Sequence, residues 1–215
     1  MAYPAYKNKG TYNASDTFNV SIATYPTSIA ANDILFLVVM NTLIAPNPTG
    51  WTLIENFDAT ANMNTYIYLY WKRADGTETG TVSLSGANYS SEIYNFSGCI
   101  TTGTPYEVYT SNQEVDFSLA NSLGNERLAV CITSDFNFTA QTTDTGTTGY
   151  TLMASNYHLT TNKYIDSLLH TQQIANSSTA DGVVKTTPYD YVKQGFYLIP
   201  ASIGTTTNSN FFNFF

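Results

Sequence analysis

The sequence predicts an all-β protein: a two-sheet antiparallel β-sandwich, jelly-roll-like, built from two similar halves and carrying extended N- and C-terminal arms. Its 215 residues include 33 Thr, 17 Tyr and 12 Phe, which are residue types that favour strands. Charged residues make up only 11%, too few for a helix bundle or a coiled coil. Short apolar or alternating segments recur between turn signals, as sandwiches and barrels require.

The first half of the chain contains six strand-like segments. Residues 34–40 form a continuous apolar run, so we predict a central strand that is covered on both faces. Residues 66–71 alternate between tyrosines and apolar side chains, which puts the tyrosines on one face of their strand. The other predicted strands are residues 18–22, 50–54, 81–85 and 92–96.

The second half repeats the order of the first. Residues 125–132 resemble residues 32–39, and Gly149-Tyr-Thr-Leu resembles Gly50-Trp-Thr-Leu, 99 residues earlier. We predict that residues 17–203 form one sandwich whose halves, 17–100 and 101–203, share a core; two separate domains are the alternative. The predicted strands of this half are residues 106–110, 128–133 (central), 150–154, 164–170, 183–187 and 195–199. The predicted core comprises Phe18, Val20, Ile22, Leu35, Leu37, Val39, Leu128, Val130, Ile132 and Phe196.

Both ends of the chain fall outside this repeat. Residues 1–16 are predicted to form a polar arm that carries Tyr3 and Tyr6. Residues 204–215 form a tail whose flexible polar spacer leads to four phenylalanines, and so apolar a patch must be covered. We expect the tail to dock on a neighbouring subunit, with the arm as a second contact; folding back on its own sandwich is the alternative. The tail residues of this predicted assembly interface are Phe211, Phe212, Phe214 and Phe215.

Charge and hydropathy exclude several classes of partner. The formal net charge is −8, so the chain offers little to a phosphate backbone and nucleic-acid binding is disfavoured. The longest apolar run is strand-sized, so we predict no membrane span. Residues 1–7 lack the apolar core of a signal peptide, so we expect synthesis in the cytoplasm.

The search for catalytic or metal-binding residues gives no convincing site. His158 and His170 are the only imidazoles, and we interpret His170 as a half-buried structural histidine. Most acids sit at strand ends or turns, and the Asp75–Glu78 turn offers calcium too few oxygens. We predict no catalytic residue, no cofactor and no metal. Cys99 and Cys131 allow at most one disulfide, and the apolar run around Cys131 predicts a buried free thiol.

Sugar binding is the more serious alternative. Aromatic faces stack on sugar rings, and Asn, Asp and Thr side chains supply hydrogen bonds. The candidate glycan contacts are Trp51, Tyr66, Tyr68 and Tyr70. The competing interpretation is that tyrosines on a strand face pack against a covering layer or a neighbouring subunit.

Three segments of the first half carry a family resemblance. They are Gly50-Trp-Thr-Leu-Ile, residues 68–76 (Tyr-Leu-Tyr-Trp-Lys-Arg-Ala-Asp-Gly) and residues 79–85 (Thr-Gly-Thr-Val-Ser-Leu-Ser). They resemble β-sandwich proteins encoded among the structural genes of tailed bacteriophages and related prophages, over roughly residues 17–200. The resemblance implies a virion component, namely a capsid decoration protein, a head fibre or a tail fibre. It implies no catalytic residue.

The sequence therefore leads to one main expectation. We expect a non-enzymatic virion surface protein that forms a homo-oligomer, such as a trimer, and contacts other virion proteins. A surface with few charges suits assembly in variable salt, where ion pairs are screened. A carbohydrate-binding module that contacts a host surface glycan is the alternative, and a glycan-cleaving enzyme is a distant third.

Overall fold

All elements of the described structure are β-strands. The structure is a computed structural model that describes residues 3–15, 17–42, 45–58, 66–109, 119–120, 127–137, 149–159, 164–174, 179–180 and 191–201. Within these ranges two antiparallel sheets pack face to face, as the sequence predicts. The same residues include no helix that is long and apolar enough to cross a membrane.

The first sheet is formed by the first half of the chain. Its hydrogen-bonded order is β1-β7-β4-β6-β5, and β2 and β3 also pair with the long strand β7. The predicted apolar strand, now β4, lies at the centre. The strands are β1 (Ala5–Lys9), β2 (Asn13–Ala14), β3 (Val20–Thr24), β4 (Ile34–Asn41), β5 (Thr52–Asp58), β6 (Tyr66–Arg73) and β7 (Thr81–Ser97).

The second sheet is formed by the second half. Its order is β8-β14-β10-β12-β11, with the predicted central strand β10 in the middle, and β9 pairs with β13 in a separate small ladder. The strands are β8 (Tyr106–Tyr109), β9 (Leu119–Ala120), β10 (Arg127–Asn137), β11 (Thr151–Leu159), β12 (Tyr164–Ile174), β13 (Thr179–Ala180) and β14 (Tyr191–Leu198).

The internal sequence repeat is also a structural repeat. Going from β1 to β5 and from β8 to β11, the two sheets have the same strand order. Even a bulge recurs, between Leu53 and Glu55 in one sheet and between Leu152 and Ala154 in the other. Each half therefore builds one sheet, and the two sheets need each other to cover their inner faces.

The shared core lies between the two sheets. Alternate side chains of β4 meet alternate side chains of β10, and at the centre the rings of Phe36 and Phe196 lie 4.5 Å apart. Side chains of this size stabilise the fold by about 1.5–3 kcal/mol each when fully buried. This mixed core joins both halves of the chain.

The prediction of a core position was wrong for two residues. Phe18 is 37% exposed and Ile22 is 39% exposed, whereas the other eight are buried. A register shift between Val20 and Ile22 inverts the alternation of β3, so that Ala23 faces the core instead of Ile22. Phe18 has a positive φ before the strand begins, and its ring packs on Tyr89.

Several strands differ in extent from their predictions. Residues 81–85 and 92–96 belong to one 17-residue strand, β7. The strand predicted at residues 150–154 begins one residue later and extends to residue 159 as β11. Part of the predicted polar arm lies in the first sheet as β1 and β2, where β7 satisfies its backbone hydrogen bonds. The predicted strand 183–187 and the tail 204–215 lie outside the described residues.

Candidate functional site

The two tyrosines of the N-terminal arm that were predicted to lie in the interface, Tyr3 and Tyr6, make contacts within their own chain. Tyr6 on β1 meets Phe96 edge-on, with ring centroids 5.8 Å apart, and packs against the shared core. Tyr3 is half-buried, and its carbonyl lies beside Gly98. Phe211, Phe212, Phe214 and Phe215 lie outside the described residues, so the predicted docking of the tail stays a prediction.

The tyrosines of β6 form a ladder on the outer face of the first sheet, as their alternation predicts. The ring centroids of Tyr66 and Tyr68, and those of Tyr68 and Tyr70, are 6.3 Å apart. Tyr68 and Tyr70 are only 5% and 3% exposed, packed with Leu35, Leu37 and other apolar residues. Burial raises the pKa of Tyr70 to about 12. Neither ring leaves an open face for a sugar.

The remaining two glycan candidates are more accessible. Trp51 is half-buried and stacks on Tyr25 with ring centroids 6.2 Å apart, while Lys72 Nζ lies 5.9 Å from the centre of the Tyr25 ring. Tyr66, at the start of β6, is also half-buried. Trp51 and Tyr66 therefore do not form one continuous platform, because the buried rings of Tyr68 and Tyr70 do not extend it.

The Asp75–Glu78 turn uses its carboxylates internally. Glu78 forms an ion pair with Lys72 at 2.9 Å and accepts hydrogen bonds from the backbone N–H groups of Asp75 and Gly76. Asp75 accepts from the backbone N–H and the hydroxyl of Thr77. In the described ranges no group of three or more His, Cys, Asp or Glu residues is arranged to hold a metal ion.

Glu78→Gln is expected to flatten the acid side of the stability profile. Burial raises the pKa of Glu78, but hydrogen bonds from Lys72 and from backbone N–H groups outweigh it and hold the pKa below the ordinary 4.5. Glu78 therefore stabilises the fold above pH 4.5, and this contribution is lost as the pH falls through its folded-state pKa. Urea unfolding at several pH values measures this loss.

The expected cost of Glu78→Gln near pH 7 is about 1–3 kcal/mol, the range for a hydrogen-bonded charged group. Glu55→Gln, on edge strand β5, is the control for the loss of one negative charge. Parallel acid profiles for Glu78→Gln and the parent would contradict the assigned role of Glu78.

Both cysteines are buried and neither is in a disulfide, as the apolar run around Cys131 predicts for that residue. Burial raises the pKa of the Cys99 thiol to about 12, although the charge of Arg73 opposes this. Since the thiolate is the reactive form, we expect neither cysteine to react with a thiol reagent until the protein unfolds. Thr101→Cys, in an exposed turn, is the positive control; rapid labelling of the parent would contradict the assignment.

The two histidines do not meet. His170 on β12 is fully buried, not half-buried as expected. β12 lies between β10 and β11 in the second sheet, and His170 stands opposite the buried Cys131. His158 lies on β11, where it is half-buried. The two side chains are on different strands and opposite different residues, so they do not constitute one site.

The strands at the ends of the two main strand orders, β1, β5, β8 and β11, differ in how they are protected. Exposed edges are usually blunted by charge or by shortness. β1 carries Lys7 and Lys9, β5 carries Glu55 and Asp58, and β8 is only four residues long. β11 is nine residues long and carries no Asp, Glu, Lys or Arg. It exposes three large hydrophobic side chains, Leu152, Tyr157 and Leu159.

A polar cluster with a buried carboxylate and two half-buried partners, here called the buried cluster, lies where the edge of the first sheet meets β11. Glu92 on β7 is 1% exposed, and its Oε1 lies 2.8 Å from Lys9 Nζ on β1. Asn156 on β11 donates from Nδ2 to the other carboxylate oxygen of Glu92 at 2.7 Å. Lys9 Nζ also contacts Oδ1 of Asn156 directly. A cation, a carboxylate and a carboxamide are thus in mutual contact between the sheets.

Neighbouring polar groups hold this cluster in place. Tyr94, two residues from Glu92, shares a 2.8 Å hydrogen bond with Ser167 on β12, and Tyr12 donates to the carbonyl of Ile165 at 3.1 Å. Burial raises the pKa of Glu92, although hydrogen bonds from Lys9, Tyr94 and Asn156 oppose the shift. Sequence analysis missed the cluster. The one available signal was a glutamate inside the strand predicted at residues 92–96.

Comparison with protein-family models, with curated protein sequences and with solved structures finds no match to this chain.

Proposed function

We propose that the protein is a non-enzymatic structural component of a bacteriophage virion surface, as a capsid decoration protein, head fibre or tail component. The proposal rests on the resemblance of residues 50–54, 68–76 and 79–85 to phage sandwich proteins and on the low charge of the chain. The observation that carries it is the unprotected edge of β11, which suits assembly with neighbouring subunits.

The occupant we propose for this edge is β11 of a second copy. Antiparallel pairing around a twofold axis joins two five-stranded sheets into one and satisfies the outer backbone groups of both strands. Residues 145–165 contain no Asp or Glu, so two copies of an acidic chain meet here with little repulsion. Pairing of β5 with itself would instead bring Glu55 and Asp58 together with their copies.

Leu152→Lys is expected to convert a dimer into a monomer. The new ammonium group puts a charge on the edge strand, which protects it against pairing with another strand. The matched control is Leu53→Lys, because Leu53 occupies the same place before the repeated bulge, is also exposed, and lies on the charged edge β5. Light scattering after gel filtration measures the masses. A monomeric parent, or equal masses for the two variants, would contradict pairing through β11.

The virion assignment has its own test. Mass spectrometry of purified phage particles, made by a host that carries the gene, is expected to detect the protein. Hundreds of copies per particle indicate the capsid, and a few to a few dozen indicate the tail or a vertex. Absence from purified particles would exclude the proposed function, whatever the oligomeric state in solution.

A further inference from the structure

The buried cluster holds all the groups needed to form an amide bond between two side chains. Lys9 supplies a primary amine, and Asn156 supplies a carboxamide whose Oδ1 the amine contacts. The carbonyl carbon is only one C=O bond, about 1.2 Å, beyond that oxygen. Glu92 contacts both groups, at 2.8 Å and 2.7 Å, and is positioned to move protons between them.

We propose that Lys9 and Asn156 join in an intramolecular isopeptide bond, with Glu92 as the catalytic acid–base. The bond ties edge strand β1 of the first sheet to edge strand β11 of the second. The reaction occurs once per chain, on the protein itself, so it is compatible with a structural protein and goes beyond the virion role.

The reaction needs no further reagent. The Lys9 ammonium passes a proton to the Glu92 carboxylate, and the neutral amine attacks Cγ of Asn156. Glu92, which contacts Nδ2, passes its proton to that nitrogen and takes one proton from the attacking nitrogen. The C–N bond to Nδ2 then breaks, and the departing ammonia accepts the second proton from Glu92. Lysine ammonium and asparagine amide thus become a secondary amide and an ammonium ion.

The surroundings favour this proton transfer. In a site of low dielectric constant the charged ammonium and carboxylate are costly to desolvate. The neutral amine and carboxylic acid are therefore stabilised relative to the ions. The raised pKa of Glu92 agrees with this direction. Because the amine is held beside the carbonyl, the attack is unimolecular, and the effective concentration of the amine at the carbonyl is greatly raised. Lys9 remains partly exposed, which gives the ammonia a route out.

The repeat shows that the sandwich does not require such a cluster. The strand registers place Val108, Gln194 and Phe57 at the positions that correspond to Lys9, Glu92 and Asn156. These three residues contain no amine and no carboxylate. Of the two sets of corresponding register positions, one therefore carries the reactive groups and the other does not.

Intact-mass spectrometry of the folded full-length chain tests the proposal. The expected mass is about 17 Da below that of the sequence, because the nucleophilic step releases one ammonia. An internal succinimide also loses ammonia, so peptide mapping must show residue 9 joined to residue 156. Trypsin is expected to leave Lys9 uncut. Lys9→Arg and Asn156→Ala each lack one partner of the bond, so each variant should have the full mass calculated from its own sequence.

Glu92→Gln separates catalysis from packing, because it keeps the shape but cannot exchange the proton. This variant is expected to fold and to retain its full mass, with Lys9 open to trypsin. A parent protein that keeps the full sequence mass after days in the folded state at neutral pH would overturn the proposal. So would a linked peptide in folded Glu92→Gln. If Glu92→Gln fails to fold, the mass of the parent and the peptide map still decide.

Discussion

Leu37→Asp is expected to leave the chain unfolded at neutral pH. Leu37 is fully buried in central strand β4, opposite Tyr70 and Ile93, on the outer face of the first sheet. An unpaired carboxylate there costs several kcal/mol, and the lost packing of the leucine costs about 2–5 kcal/mol more. Because domains are stable by only about 5–15 kcal/mol, the combined loss removes most or all of the stability.

The matched control is Ile22→Asp. The sequence places Ile22 in the core with Leu37, but the structure exposes it, so this aspartate stays in water and changes stability by about 1 kcal/mol or less. Circular dichroism and thermal melts of both variants measure the difference. A Leu37→Asp protein that melts like the parent would show that β4 is not covered on its outer face.

Phe36→Ala is expected to destabilise the protein by about 3–5 kcal/mol, the cost of removing a large buried ring. Phe36 is fully buried at the centre of the shared core, where it contacts Phe196 of the second sheet and lies edge-on to Phe96 and Tyr106. For a chain of this size the melting temperature should fall by on the order of 10 °C. Urea unfolding at 25 °C gives the free-energy change.

Phe18→Ala serves as the control for Phe36→Ala, since it removes the same ring from an exposed position. Its expected cost is about 1 kcal/mol, from the lost contact with Tyr89. Equal costs at positions 18 and 36 would mean that the two sheets do not share the core around Phe36.

Local patterns were enough to predict most of the strands and the two central ones. The apolar run at residues 34–40 has no polar face, so it fits only where both faces are covered, and β4 lies there. The alternation at residues 66–71 predicts which side chains share a face of β6, because side chains along a strand alternate strictly. The repeat likewise predicted two similar halves.

The tertiary structure alone decided which of these faces are accessible. Nothing in the alternation of Tyr68 and Tyr70 distinguishes an open aromatic platform from a covered one. The residues packed on this face come from other strands and loops of the first half of the chain. The outward position of Ile22 follows from a bulge that depends on pairing with β7, and the sequence of β3 carries no sign of it.

The buried cluster shows the same limit most clearly. Lys9 and Glu92 are 83 residues apart, and Glu92 and Asn156 are 64 apart. Their meeting depends on the register of β1 on β7 and on how the two sheets pack. By itself the sequence determined most of the strands and which of their side chains share a face, because both are encoded within a few residues, and it determined the repeat through matching segments. The contact between amine, carboxylate and carboxamide was decided only by the tertiary structure, because proximity between sheets is a property of the whole sandwich.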